Sequence, residues 1–217
     1  MANMLRFTKM HGIGNDYIYF DCTRGEEQSG IPTDVLTDNS RLGRLSEILS
    51  DRHTGVGGDG IILILPSEIA DFTMRIFNAD GSEAKMCGNG IRCVAKYLFD
   101  NGIVKKPVIN IETKSGIKSC SIMTMNGKAY KITVDMGAAA LRPEQVPVKL
   151  EGDMVVNKPV IIDGHEYYIT CASMGNPHCA VFAPSIDKLD LSAMGPKFEY
   201  NPLFPCLLYT SPSPRDA

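Results

Sequence analysis

The 217 residues suffice for one large domain or two small ones, and 44% hydrophobic against 22% charged residues describes a globular protein with a sizeable core. A net charge of −3 with no Lys/Arg cluster excludes nucleic acid as an expected partner. The opening MANMLRFTKM has no apolar leader core, and no apolar run approaches membrane-spanning length, so a cytoplasmic protein without a membrane partner is expected.

In chain order, LRFTK and YIYFD read as strands flanking a glycine loop, MHGIGND. A helix fits residues 41–53, where Leu42, Leu45, Ile48 and Leu49 share one face. The loop TGVGGDG follows, then IILIL as a buried strand, and FTMRIF as a strand leading into NADGSEAKMCGNG. The second helix is better defined. Ile91, Val94, Ala95 and Leu98 form an i, i+3, i+4, i+7 stripe, and Asn101-Gly102 offers a stop with Gly102 left-handed. After Pro107 the texture turns to β in VINIET, IKSCSIMT, AYKITVDM and EYYITCASMGNPHCAVF. The expected fold class is α/β in the α+β sense: two mainly-sheet units, residues 1–117 and 118–205. MHGIGND and SMGNPH look faintly alike, each a Gly-Asn turn leaving a strand. The tail CLLYTSPSPRDA, residues 206–217, has Ser-Pro repeats and no periodicity, and reads as foreign to the fold.

Gly55-Val56-Gly57-Gly58-Asp59-Gly60 formally matches G-x-G-x-x-G. A dinucleotide site needs a strand before the glycines and a helix after them. Here the order is reversed, so the segment reads as a helix-to-strand loop.

The seven cysteines (22, 87, 93, 120, 171, 179 and 206) are odd in number and irregularly spaced, which suits free thiols better than a disulfide framework. No C-x-x-C pair occurs, so no metal site is expected. Cys87 differs from the rest. It lies between Asp80-Gly81-Ser82 and Gly88-Asn89-Gly90, where a helix opens. The first amides of a helix lack intrahelical partners and carry partial positive charge. Gly88 and Gly90 leave those amides uncovered, so a carboxylate can dock on them. The same field is expected to lower the Cys87 pKa towards neutrality. A thiolate beside a carboxylate cradle serves either as a nucleophile or as a general base at the carbon next to the carboxylate. Cys93 is expected in the core. Asn15, Asn78, Asn89 and Asn176 all sit in glycine-containing loops at strand ends; turn chemistry accounts for each alone, but four together also suit a small zwitterionic ligand. His178 follows Pro177 at a strand start, and His11 and His53 read as structural.

Through MHGIGND, FNADGSEAKMCGNGIRC and SMGNPH, from about Phe7 to Pro205, the chain resembles the diaminopimelate epimerases. The resemblance implies cofactor-independent interconversion of LL- and meso-diaminopimelate for lysine and peptidoglycan precursor synthesis. It also implies two pseudo-symmetric domains, each presenting a cysteine at a helix N-terminus. Cys87 would be one of the catalytic pair, the Gly88 and Asn89 amides would hold the α-carboxylate, and Asn15, Asn78 and Asn176 would bind the polar ends. His178 matches a position close to the catalytic centre. Some members have Gln where this chain has Gly60. The family's E-R-G segment and second C-G-[TS]-G are not found: Cys-Gly occurs once, at Cys87-Gly88. The expectation is therefore a second domain that is incomplete, an artefactual tail, and no turnover by this chain alone. A homodimer is expected only of a full-length family member. The competing expectations are a proline racemase-like enzyme, in which His typically follows Cys-Gly, and a non-catalytic amino-acid binder.

Overall fold

A computed structural model describes residues 4–174, 177–183, 185 and 189–205. Asn176, Cys206 and the rest of the 206–217 tail lie outside the described residues. Packing divides the chain into two compact units, Met1–Met136 and Gly137–Ala217.

In the first unit, β1 (Thr8–Gly12) and β2 (Asn15–Asp21) form an antiparallel hairpin. Its turn needs left-handed backbone at Ile13 (φ 49°) and Gly14 (φ 83°), the geometry a two-residue hairpin loop demands. Two short helices follow, α1 (Glu26–Ser29) and α2 (Thr33–Leu36), then α3 (Asn39–Ser50). The sheet continues through β3 (Gly60–Leu65), β4 (Phe72–Asn78), the short β5 (Glu83–Ala84), and, after helix α4 (Gly88–Asp100), β6 (Val108–Thr113), β7 (Gly116–Met125) and β8 (Lys128–Val134). The strand order is β1-β2-β3-β4-β6-β7-β8, with β5 paired to β4. Only β2–β3 and β4–β6 run parallel.

Alternation on β2 builds two cores at once. Tyr17 and Tyr19 face α4, in a cluster with Ile62, Ile91, Cys93, Val94, Ala95, Leu98, Cys120 and Ile122. Ile18, Phe20 and Cys22 face the other way, onto Leu42 of α3. The α4 stripe is buried as its spacing predicts, and Cys93 lies in the same core. The helix stops where expected: Gly102 is left-handed (φ 71°), and its N–H reaches the Phe99 carbonyl.

The α3 face differs from its expectation. Leu42 is buried, but Ile48 is 53% exposed, and Gly43, Ser46 and Ser50 take the inner positions. Small residues let the helix approach the sheet closely. A Cβ on Gly43 would sit 2.6 Å from the Gly81 carbonyl oxygen. The Ser46 hydroxyl reaches the carbonyls of Phe77 (2.9 Å) and Asn78 (2.7 Å). The helix starts earlier than the spacing alone indicates because Asp38 caps it, accepting the amides of Ser40 and Arg41.

The second unit has β9 (Lys158–Ile162), β10 (His165–Ser173) and β11 (Pro177–Val181) in the order β11-β10-β9, then α5 (Leu191–Glu199). Its core gathers Val146, Val155, Ile169, Cys171, Phe198 and Phe204, with Tyr167 edge-on to Phe198 at 5.0 Å. The sequence reading drew the domain boundary at 117/118, inside β7. The compact units part later, at 136/137, because β6, β7 and β8 extend the first sheet around α4 and contribute Cys120, Ile122 and Ala129 to its core. The fold class is α+β, each unit mainly sheet.

Candidate active site

Cys87 is the N-cap of α4. Its backbone is extended (φ −140°, ψ 109°), and its sulfur accepts the Gly90 N–H at 3.2 Å, as a Ser or Asp oxygen does in commoner caps. That contact needs glycine at 90. A Cβ there would fall 2.6 Å from Ile62 Cδ1 and 3.4 Å from the Cys87 sulfur. Gly88 is more open, its nearest neighbour being the Met136 thioether at 3.9 Å. The sulfur thus draws on the Gly90 and Asn89 amides, and of the three leading amides of the carboxylate cradle expected from the sequence, that of Gly88 is the one it does not engage.

The first strand pair closes the other side. A side chain at Gly12, the end of β1, would come within 3.1 Å of the Asn89 Cβ. On β2, Asn15 and Tyr17 point to the same face. The Cys87 thiol donates to Asn15 Oδ1 at 3.3 Å, and the Tyr17 hydroxyl bonds the sulfur. Asn15 Nδ2 in turn donates to Asp59 Oδ2 at 2.7 Å. Asp59 is fixed on both sides: its own N–H donates to the Asp16 carbonyl, and its carbonyl accepts the Ala79 N–H. Its carboxylate also takes the Asp16 N–H at 3.0 Å and Arg52 Nη2 at 3.1 Å. Arg52 then grips Asp16 with both terminal nitrogens, at 2.7 and 3.2 Å.

The electrostatics of Cys87 reverse the expectation from the helix field. Burial pushes its thiol up, and this outweighs the pull of the Gly90 and Asn89 amides and of the Tyr17 hydroxyl. The amides favour the thiolate, but the sulfur sits against apolar neighbours of the α4 core, and charging it there costs more than the amides return.

The other expected residues divide. Gly88 and Asn89 lie beside Cys87, and the Asn89 side-chain oxygen accepts from Arg92. Asn78 is 6% exposed at the end of β4 and gives its side-chain N–H to Ser82 Oγ at 3.0 Å, so it holds the turn of residues 78–82. Its strand partner is Gly60, the first residue of β3. His178, in the second unit, is exposed on β11 opposite Ala172. The G-x-G-x-x-G loop lies between α3 and β3, the reverse of the dinucleotide arrangement. Sequence reasoning missed Tyr17, Asp59 and Arg52. The signal for Tyr17 was its place two residues after Asn15 on one strand; for Asp59 and Arg52 the sequence offered none. Among the described residues no three His, Cys, Asp or Glu side chains cluster as metal ligands, and no helix is long and apolar enough to cross a membrane.

The fold matches that of known amino-acid epimerases. It resembles a hydroxyproline epimerase from Agrobacterium vitis, solved with trans-4-hydroxy-L-proline, with a TM-score of 0.60 at 16% identity, over 89% of this chain and 53% of that one. The sequence is more specific. The family model described as diaminopimelate epimerase matches residues 7–142. Diaminopimelate epimerases from Acetivibrio thermocellus and Desulfovibrio desulfuricans are 50% and 49% identical, over 93% and 94% of this chain and 68% and 69% of their own lengths. The chain belongs to the diaminopimelate epimerase family, a family of isomerases. It spans about two thirds of the curated relatives it matches and about half of the solved epimerase.

Proposed function

We propose that this chain carries one half of the catalytic apparatus for epimerising LL-2,6-diaminopimelate to meso-diaminopimelate, a cytoplasmic step of lysine and peptidoglycan precursor synthesis, without a cofactor. The observation that carries the reading is the Cys87 sulfur at the N-terminus of α4, held by the Gly90 amide and Asn15 beside the open Gly88 amide. The substrate α-carboxylate docks on the Gly88 and Asn89 amides. This places Cα over the sulfur and aims the helix N-terminus at the charge that develops on the carboxylate. In one direction the Cys87 thiolate takes the α-proton: the Cα–H bond breaks, an S–H bond forms, and the electron pair delocalises into the carboxylate. A second thiol then protonates Cα from the opposite face, and the reverse direction exchanges the two roles. The same burial that raises the Cys87 thiol makes its thiolate a strong base once formed. Asn15, Asn78 and Asn176 bind the polar ends of the substrate, and His178 supports the centre.

Inversion needs two thiols on opposite faces. The 217 residues contain one Cys-Gly helix start, so the chain by itself binds substrate without inverting it. Asn89 in place of a histidine after Cys-Gly favours diaminopimelate over a proline-type substrate. The test incubates the purified chain with LL-diaminopimelate and resolves the stereoisomers by chiral chromatography, alongside calorimetric titration with diaminopimelate and with proline. Binding of diaminopimelate alone, without a meso product, is expected. A meso product would remove the two-thiol requirement, and binding of proline in preference would remove the substrate assignment.

A further inference from the structure

Asp59 belongs to the glycine-rich loop that the family's reaction does not explain, yet its carboxylate lies one residue away from the reactive sulfur. All of its close partners are donors: Asn15 Nδ2 at 2.7 Å, the Asp16 N–H at 3.0 Å and Arg52 Nη2 at 3.1 Å. A carboxylate so placed can only accept, so the Asn15 amide must turn its NH2 to Asp59 and its oxygen to Cys87. With that orientation the contact at 3.3 Å between Asn15 Oδ1 and the sulfur needs a proton on the sulfur, because two acceptors do not bond. The opposite amide orientation would give the sulfur an N–H and favour the thiolate.

We propose that Asp59 is a positioning residue which, by taking the Asn15 N–H, turns the Asn15 oxygen to Cys87 and seats the proton on that sulfur in the ligand-free site. This rests on the reading of Cys87 as an acid/base thiol and adds its resting state: the half-site waits as the acid, and a substrate that draws on the Asn15 amide changes the proton affinity of the sulfur. Asp59 is built for the role. Its backbone is clamped between Asp16 and Ala79, and Arg52 secures both it and Asp16. The other titratable groups against Cys87 are Tyr17 and Tyr19 from β2 and Cys93 from α4, with Asp16, Arg52 and Lys9 charged beyond Asp59.

The test is the pH profile of Cys87 alkylation by iodoacetamide, followed by mass spectrometry of the Cys87 peptide, in the unaltered chain, D59N, N15A and the double variant. The high-pH plateau reports access to the sulfur; the midpoint reports its proton affinity. D59N frees the amide to rotate and is expected to lower the midpoint by about one pH unit, roughly tenfold in proton affinity, with the plateau kept. N15A removes the acceptor and also lowers the midpoint. In the N15A background D59N does nothing further, because its effect runs through Asn15. An unmoved midpoint in D59N overturns the inference. An equal shift with and without Asn15 also overturns it, since Asp59 would then act by its charge alone. If D59N does not fold, N15A decides: an unmoved midpoint there removes the acceptor role. A Cys87 that shows no titrating reactivity in the unaltered chain removes the acid/base reading itself.

Discussion

Asn15 and Cys87, 72 positions apart in the sequence, meet at 3.3 Å between amide oxygen and sulfur. The contact joins the hairpin of β1 and β2 to the N-terminus of α4, and neither element offers a site without the other. β2 brings Asn15 and Tyr17 to the sulfur from one side, while α4 brings the amides of Asn89 and Gly90 from its own axis. Four consequences can be measured.

Gly90 sets the spacing of that junction. In G90A the new methyl meets Ile62 Cδ1 and the Cys87 sulfur, so either the isoleucine shifts or the sulfur leaves its amide. A loss of about 1–3 kcal/mol is expected, as for overpacking in other cores. Denaturant unfolding measures it, and Cys87 alkylation should become faster as the cap opens. G90A with the stability and alkylation rate of the unaltered chain contradicts the packing argument.

Gly60 has a stronger requirement. Its φ of 153° lies where side chains are rare, and a Cβ would fall 2.1 Å from the Phe77 carbonyl oxygen and 2.9 Å from the Tyr17 ring. G60A is expected to cost more than about 3 kcal/mol. G60Q, with a longer side chain, should fare no better on this backbone. A soluble G60Q with an unchanged melting temperature counts against this.

Asp16 gives stability a pH dependence of known sign. The Arg52 guanidinium, opposed by partial burial and aided by Lys9, holds its carboxyl at about 2, below the ordinary 3.8. A depressed carboxyl contributes stability that is complete above the unfolded value and is lost as pH falls through the folded one. D16N should therefore be less stable than the unaltered chain above about pH 5, by about 1 kcal/mol after screening at the half-exposed Arg52, with the difference shrinking as pH falls towards about 2 and gone only near pH 1. A difference that is constant between pH 2 and 7 rules this out.

Ser46 ties α3 to the end of β4, next to Asn78. S46A leaves the carbonyls of Phe77 and Asn78 without their buried donor and should cost about 1–3 kcal/mol, read from its denaturation midpoint. An unchanged midpoint would mean those carbonyls find another donor.

How much of this was legible in sequence depends on whether the information was local. The α4 stripe, its glycine stop and the thiol at its start were readable because spacing and capping act within a few residues. Ile48 was misread because the inner face of α3 is chosen by how closely a helix can pack, and Gly43 and Ser46 permit a closer approach than the leucines. The helix α5 was missed for a related reason: Gly195 and Pro196 interrupt its pattern, yet Asp190 caps it by accepting the Ala193 N–H, and Phe198 anchors it in the second core. The direction of the Cys87 shift was misjudged because a helix field is local, whereas burial comes from strands elsewhere in the chain. Asp59 stayed hidden because its link to Cys87 runs through Asn15, 44 positions earlier.

The central claim is that Cys87 handles the α-proton of diaminopimelate. Its most direct test is the rate at which iodoacetamide labels Cys87 at pH 9 in the 217-residue chain, with and without meso-diaminopimelate, using free glutathione in the same mixture as the control. Diaminopimelate is expected to slow labelling at Cys87 and leave that of glutathione unchanged, and proline to protect neither. Labelling of Cys87 at the same rate with saturating diaminopimelate as without it would contradict the account.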